Sequence, residues 1–355
     1  MKILFVNPFG IGDVLFTTTL IRPLREKGNS LYYWCNERVA DVLRHNEAIE
    51  RLFCLSRGDL KKLFKKSPVK AVKKAIELIW KIKKEKFDIA LDFSLDYRYS
   101  LLLWLLGVKK IVGFDYKGRG HFLSDKVKIE GFSGRHMVKH YEALLRFIDG
   151  SIEPHDTMEL FIGDEEKKWA DEFLSRHGIE NSDILIGISP GGGTSWGESA
   201  FRKRWPKEKF AYLTDEFCAA NKYKIILFGN EEEKPLCDFI YKERGNKIIN
   251  LCGKITLGQF SAILGKCAVL ITNDGGPLHI AVALGVKTVS IFGPVDEKVY
   301  GPYPPSENHK VITAKVECRP CYKNFRYAPC LRRKCLESIE PSIAISAVRT
   351  ILKPQ

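Results

Sequence analysis

The feature that most constrains the fold is a repeated pairing of a short apolar run with a polar or glycine-rich loop. In the second half of the chain, these runs are Ile184–Ser189, Ile225–Phe228, Val269–Thr272 and Thr288–Phe292. Short apolar runs that alternate with helical patterns predict a parallel sheet covered by helices on both faces. Ligands bind beyond the carboxyl ends of such strands, so these loops are predicted to form a binding site.

The first half of the chain repeats this pattern. Its predicted strands are Ile3–Val6, Leu31–Cys35, Leu52–Leu55, Ile89–Asp92 and Ile111–Phe114. A chain of 355 residues is long enough for two domains, and the polar segment Gly150–Asp164 is the predicted boundary. We therefore predict an α/β protein with two doubly wound parallel-sheet domains.

The composition is basic, with 57 Lys and Arg against 43 Asp and Glu and a net charge of +14. Such a surface attracts polyanions, which include nucleic acid, anionic membranes and phosphorylated substrates. No signal-peptide pattern is present at the start. The apolar run Leu101–Val108 is far shorter than the ~20 residues that span a bilayer, so we predict a cytoplasmic protein.

The basic charge is concentrated in Lys61–Lys86, which holds eleven lysines. Val69, Val72, Ile76 and Ile79 have helical spacing within it, so one face could dock on the domain. The alternatives are a solvated helix face or an electrostatic guide toward an anionic membrane or acceptor.

The segment Gly10–Asp13 lies where the first strand becomes the first helix. Gly10 and Gly12 allow an incoming group to approach the backbone closely, and Asp13 is either a helix-start carboxylate or a functional one. A dinucleotide fingerprint is disfavoured, because Leu15 stands where its third glycine belongs.

Two loops of the second half are predicted to bind a diphosphate. Ser189–Ser195 can present backbone N–H groups to phosphate oxygens, and the cations Arg202–Arg204 follow it; the alternative is a solvated loop with Trp205 as an anchor. Asn273–His279 ends a strand and opens a helix, whose N-terminus favours anions. The candidate residues of this diphosphate site are Ser189, Gly191, Gly192, Lys203, Arg204, Asp274, Gly275, Gly276 and His279.

One acidic cluster and one cysteine cluster are further candidates for ligand or metal binding. One acid of Glu231–Glu233 is predicted to contact a ribose, sugar or base, and the others to complement a helix dipole. Structural zinc, reduced thiols or a conditional disulfide are the alternatives for Cys318, Cys321, Cys330 and Cys335. The remaining six cysteines are predicted to be buried reduced thiols.

With these motifs in order, the chain resembles glycosyltransferase family 9, the lipopolysaccharide heptosyltransferases. The resemblance rests on Gly12-Asp13-Val14, Ser189-Pro190-Gly191, Lys203–Pro206, Asn273–His279 and Phe292-Gly293-Pro294. It implies a GT-B fold, with two Rossmann-like domains facing a central cleft. Residues 1–160 would bind the acceptor and 161–335 the nucleotide sugar, and 336–355 would form a helix that crosses back to the first domain.

The resemblance also implies a reaction. Family members transfer heptose from ADP-heptose to the lipopolysaccharide inner core, with inversion and without a required metal or cofactor. By motif, Asp13 matches the catalytic base, Lys203 the lysine that binds donor phosphate, and Glu233 an acid near the nucleoside. Gly275 stands where the family usually has Ser or Thr. A cytoplasmic enzyme peripheral to the anionic inner membrane is the expected setting.

Three alternatives stay open at this point. A family relative with another nucleotide sugar or acceptor would release UDP or GDP, or use another hydroxyl. A GT-B-like nucleotide-sugar epimerase would convert the donor without an acceptor. A basic nucleic-acid-binding protein would bind RNA or DNA with steep salt dependence, although no aromatic platform supports this.

Overall fold

The computed structural model describes residues 1–353 except 56, 181, 194–195, 221, 243, 245–246 and 331. The chain divides into two compact units, Met1–Phe161 and Ile162–Gln355. This division lies inside the polar segment Gly150–Asp164.

The first unit alternates strands with helices. Its elements are β1 (Lys2–Asn7), α1 (Ile11–Phe16), α2 (Thr18–Glu26), β2 (Ser30–Cys35), a 3-10 helix (Glu37–Val42), β3 (Ile49–Cys54), α3 (Arg57–Lys66), α4 (Pro68–Glu85), β4 (Ile89–Asp92), α5 (Tyr97–Leu105), β5 (Lys110–Tyr116), β6 (Asp125–Ile129), α6 (Met137–Glu142) and a 3-10 helix (Leu145–Phe147).

Within the described residues, the six strands form one parallel sheet in the order β3-β2-β1-β4-β5-β6. The central strand β1 is apolar throughout its middle because helices cover both faces of the sheet. On one face, Leu4 and Val6 pack with Leu78 and Ile82 of α4 and with Leu103 of α5.

The orientation of α4 bears on one of the alternatives for Lys61–Lys86, the docking of one apolar face on the domain. Of the four residues with that spacing, Val69, Val72 and Ile76 are exposed and Ile79 is half-buried. Ala71, Leu78 and Ile82, which lie on the opposite face of the helix, are the buried residues. Both faces of this helix carry apolar side chains, so helical spacing alone could not identify the buried one.

The second unit repeats this alternation. Its elements are α7 (Asp164–Arg176), β7 (Ile184–Ser189), a 3-10 helix (Gly197–Lys203), α8 (Lys207–Cys218), β8 (Tyr223–Leu227), a 3-10 helix (Glu231–Glu233), α9 (Lys234–Tyr241), β9 (Ile248–Asn250), α10 (Leu257–Leu264), β10 (Val269–Asn273), α11 (Gly276–Ala283), β11 (Lys287–Phe292), α12 (Glu297–Tyr300), β12 (His309–Thr313), β13 (Tyr322–Lys323), β14 (Arg326–Tyr327), α13 (Lys334–Glu337) and α14 (Pro341–Ile351).

The larger sheet of the second unit has the order β12-β11-β10-β7-β8-β9 and is parallel throughout its described strands. In both units the first strand pairs with the second on one side and with the fourth on the other. This order is the doubly wound Rossmann arrangement. The predicted α/β class with two Rossmann-like domains is therefore confirmed.

The strand order creates a switch point in each unit, where successive connections leave in opposite directions. In the first unit it lies between β1 and β4, and in the second between β7 and β10. Crevices for ligands form at such positions.

The last helix, α14, packs within the second unit. Its buried residues Ala344, Ile345 and Val348 join the core formed by α8 and the sheet. Lys287 donates a hydrogen bond from Nζ to the carbonyl of Ile351 at 2.9 Å, near the end of the helix. The predicted return of this segment to the first domain stays a prediction.

Candidate functional site

Asn273 organises the switch point of the second unit. It ends β10, it is fully buried, and Thr272 beside it pairs with Ser189 of β7. Its Nδ2 donates to the carbonyl of Pro190 at 2.6 Å, and its Oδ1 accepts from the backbone N–H of Trp205 at 2.9 Å. One amide thus ties together the ends of two strands and the segment that carries the predicted cations.

Lys203 and Asp274, which were predicted from separate motifs, form an ion pair at this point. Lys203 Nζ lies 2.6 Å from Asp274 Oδ2, and the side chains are only 13% and 4% exposed. The ammonium also lies 4.3 Å from the ring centroid of Trp196. A lysine held by one carboxylate keeps further N–H donors that can bind a phosphate oxygen.

The glycine loop after β7 passes against the loop after β10. A Cβ on Gly275 would overlap the carbonyl oxygen of Gly192. Gly192 and Gly193 have φ of +71° and +87°, which favour glycine. The departure from Ser or Thr at position 275 therefore has a steric reason that the sequence did not reveal.

Glu233 fixes the shape of this glycine loop. Its Oε1 accepts from the backbone N–H of Gly193 at 2.9 Å, and its Oε2 accepts from that of Asn230 at 3.0 Å. Arg204 donates from Nε to the carbonyl of Gly191 at 3.1 Å and brings Nη2 to 3.8 Å from Glu233. Glu233 is almost wholly buried, and its observed contacts are with the loop backbone and with Arg204; contact with a nucleoside stays a prediction.

The remaining predicted donor residues lie at the same sheet edge. Gly276 begins α11, and His279 is buried one turn further along that helix. Ser189 ends β7 with its hydroxyl buried and without a hydrogen-bond partner among the described residues. Residues 194 and 195 of the predicted phosphate loop lie outside the described residues.

Asp13 occupies the first turn of α1, directly after the loop that follows β1. The buried side chain of Asn7 holds that loop: Nδ2 donates to the backbone carbonyl of Asp13 at 3.0 Å, and Oδ1 accepts from the backbone N–H of Phe9 at 3.2 Å. Gly10 precedes the helix in an extended conformation, and Gly12 lies in its first turn. The predicted acceptor-side residues thus stand together at the switch point of the first unit.

Asp92 is a titratable residue that the sequence analysis did not select. It ends β4, pairs in register with Val6 of β1, and is only 4% exposed. Burial raises the pKa of its carboxyl to about 6, although hydrogen bonds from Ser94 act in the opposite direction. A buried acid with a raised pKa at a switch point is a functional candidate. Its position at the end of a predicted strand was the available signal.

The cysteines are free thiols. Of the six scattered ones, Cys54 is half-buried and the others are buried. Among the described residues, no three His, Cys, Asp or Glu side chains are arranged to hold a metal ion, so the zinc alternative for the C-terminal cysteines gains no support. Burial raises the pKa of the Cys335 thiol to about 11.

The described helices include none that combines the length and the apolar composition needed to cross a bilayer.

The chain is similar to known glycosyltransferases. It is 29% identical over 272 residues to lipooligosaccharide heptosyltransferase 2 of Campylobacter jejuni subsp. jejuni serotype O:2, with 76% of each chain covered. A crystal structure of a glycosyl transferase family 9 protein from Veillonella parvula DSM 2008 superposes with a TM-score of 0.81 at 25% identity, covering 99% of this chain and 97% of that one.

A third similarity concerns the fold alone. An Escherichia coli heptosyltransferase with ADP-2-deoxy-2-fluoro heptose has a TM-score of 0.69 at 18% identity, covering 99% of both chains. The family model for glycosyltransferase family 9 (heptosyltransferase) matches residues 75–331, which include strands β4–β6 of the first sheet and all six strands of the larger sheet of the second unit. The chain therefore belongs to glycosyltransferase family 9, the heptosyltransferase family.

Proposed function

We propose that this protein transfers heptose from ADP-heptose to the inner core of lipopolysaccharide, with inversion and without a metal or other cofactor. The observation that carries the proposal is the buried Lys203–Asp274 pair beside the glycine loop at the switch point of the second unit. The family and the similarity to a lipooligosaccharide heptosyltransferase support the choice of sugar and acceptor class.

The second unit binds the donor in this proposal. Lys203 and the N-terminus of α11 at Gly276 face the diphosphate and offset the negative charge that gathers as ADP leaves. Arg204 contributes positive charge from the other side of the glycine loop. Asp274 accepts hydrogen bonds from sugar hydroxyls, and His279 donates to a phosphate. A cation and a helix dipole thus do the work that a divalent metal does in other transferases.

The first unit binds the acceptor, and Asp13 acts as the general base. The acceptor hydroxyl gives its proton to the Asp13 carboxylate while its oxygen forms a bond to the anomeric carbon. The bond from that carbon to the phosphate oxygen breaks, and ADP takes the electron pair. Attack opposite the leaving group inverts the configuration. Gly10 and Gly12 leave room for the acceptor beside the base.

The setting of the reaction follows from the acceptor. Lipopolysaccharide precursors are anionic glycolipids, so we place the enzyme in the cytoplasm, peripheral to the inner face of the cytoplasmic membrane. The net charge of +14 suits such a surface.

The decisive test replaces Asp13 by Asn, which keeps size and hydrogen bonding but removes the base. Transfer from ADP-heptose should fall about a hundred- to ten-thousandfold, while the affinity for ADP-heptose, measured by calorimetry, should stay within about twofold. Turnover close to that of the unmodified enzyme would refute the base assignment.

The same assay separates the alternatives. Release of UDP or GDP in place of ADP would identify another donor, and conversion of the donor without any acceptor would identify an epimerase. Steeply salt-dependent RNA or DNA binding without transfer would identify a nucleic-acid-binding protein.

A further inference from the structure

Helix α4 has two apolar faces, and only one of them packs against the sheet. The buried face consists of Ala71, Leu78 and Ile82. On the opposite face lies an exposed stripe, defined here as Val69, Val72, Ile76 and Trp80. These four side chains are 78%, 49%, 58% and 60% exposed. Their spacing of three or four residues places them along one line of the helix surface.

Lysines surround the exposed stripe. Lys73, Lys83 and Lys84 lie on the same side of the helix by helical spacing and are exposed. Lys84 Nζ lies 5.3 Å from the ring centroid of Trp80. Helix α3, which precedes α4, adds four exposed lysines and an exposed Phe64.

The same face of the sheet carries further exposed apolar residues. Helix α5 packs on that face through Leu103, and Trp104 and Leu105 beside it are 58% and 62% exposed. Trp104 packs against Phe122, with ring centroids 5.9 Å apart.

A helix face that only contacts water ordinarily carries polar and charged side chains, not a continuous apolar stripe. Exposed Val, Ile and Trp side chains leave apolar area in water, and this is unfavourable in proportion to the area exposed. An apolar stripe flanked by lysines is the composition of helices that lie in the headgroup region of a bilayer, where Trp occupies the interface. In such helices, the aliphatic part of each lysine side chain extends along the apolar surface and the ammonium group lies beside the lipid phosphates.

We propose that the exposed stripe of α4, with its flanking lysines, docks the first unit on an anionic lipid bilayer. Charge complementarity selects the occupant, because each lysine near an anionic surface strengthens binding. The exposed stripe lies on the convex outer surface of α4 and is apolar, which suits lipid better than a sugar, since sugars require hydrogen-bonding groups. This inference deepens the proposed function by naming the surface that meets the membrane, and it is tested without donor or acceptor.

The test is flotation of the full chain with three kinds of vesicle: phosphatidylcholine alone, an equal mixture of phosphatidylglycerol and phosphatidylcholine, and phosphatidylcholine with lipopolysaccharide. The unmodified protein should float with the anionic vesicles only, and less as salt rises. A stripe variant, Val72→Ser/Ile76→Ser/Trp80→Ser, should bind at least tenfold more weakly. The matched control is Tyr212→Ser/Ile343→Ser, whose residues are 56% and 51% exposed in the second unit; it should bind as the unmodified protein does.

A charge variant sharpens the test. Lys73→Gln/Lys84→Gln should weaken binding on the order of tenfold and flatten its salt dependence. Circular dichroism and melting temperature establish that each variant is folded, since all the changed side chains are exposed. Transfer to a lipid-free acceptor oligosaccharide should be the same in the stripe variant and the unmodified protein.

Three results would overturn the inference: no flotation of the unmodified protein with anionic vesicles, equal flotation of the stripe variant, or flotation only when the vesicles contain lipopolysaccharide. The last result would make the stripe an acceptor or partner surface. Vesicle binding without any heptosyl transfer would leave the docking surface intact and remove the proposed function instead.

Discussion

The switch points of the two units share one strand order, and each has a buried asparagine at a strand end. Asn7 ends β1 and Asn273 ends β10, and each uses both atoms of its amide to hold backbone. Asn7 holds its own loop, whereas Asn273 joins segments far apart in the sequence. The loop after β1 is therefore shaped locally, whereas the loops after β7 and β10 are shaped by the tertiary fold.

The chemistry at the two switch points differs as well. The first unit presents the carboxylates Asp13 and Asp92 at the ends of neighbouring strands. The second places Lys203 on Asp274 and Arg204 beside Glu233, so its acids are paired with cations. One fold thus supports two kinds of site, because function depends on the residues at the strand ends rather than on the sheet.

Of the substitutions that test this difference, Lys203→Ala, which removes the cation paired with Asp274, should reduce transfer activity the most. In the proposed donor site, loss of the ammonium removes positive charge from beside the donor phosphates, and it leaves Asp274 buried without its cation. Transfer should fall about a hundred- to a thousandfold, and ADP should bind more weakly by calorimetry. Lys298→Ala, at an exposed lysine of α12, is the control and should change neither quantity. If Lys203→Ala bound ADP-heptose as tightly as the unmodified enzyme, the donor assignment would be wrong.

The second prediction concerns the acid of the first switch point. Because burial raises the pKa of Asp92 from 3.8 to about 6, the folded state holds its proton more tightly than the unfolded state does. The stability of the unmodified protein should therefore fall as the pH rises from about 4 to 6, whereas Asp92→Asn should lack this loss.

Urea unfolding at pH 4 and pH 7 measures the difference. At pH 7 the Asn variant should be more stable by at most about 3 kcal/mol, which corresponds to the size of the pKa shift. Asn at this position can still accept the hydrogen bond from Ser94, so the packing is preserved. Equal pH dependence of the two proteins would show that Asp92 does not titrate in this range.

The third prediction concerns the backbone contact in the second unit. Gly275→Ala places a Cβ against the carbonyl of Gly192 and should displace the glycine loop. We expect a loss of about 1–3 kcal/mol in stability and weaker ADP binding. Gly265→Ala is the matched control, because its Cβ would make ordinary contacts 3.5 Å away at a φ of −61°. Similar melting temperatures for the two variants would contradict the steric account of Gly275.

Most strands and their terminal loops were predictable, because a buried strand is apolar over a few consecutive residues and its loop follows immediately. Asp13, Asn273 and Asp274 were found in this way. Asp92 was equally accessible, since it ends a predicted strand, but its raised pKa depends on burial that the sequence does not state.

The α/β class, the family and nine of the strands could be predicted from the sequence, since these depend on local patterns and on the order of motifs. The edge strands β6, β9 and β12 were not predicted. The tertiary structure alone decided that Lys203 meets Asp274, that Glu233 holds Gly193, and that Gly275 must lack a side chain. It also decided which apolar face of α4 is buried. The physical reason is the same in each case: these contacts join segments far apart in the chain, and their geometry exists only after the sheets have formed.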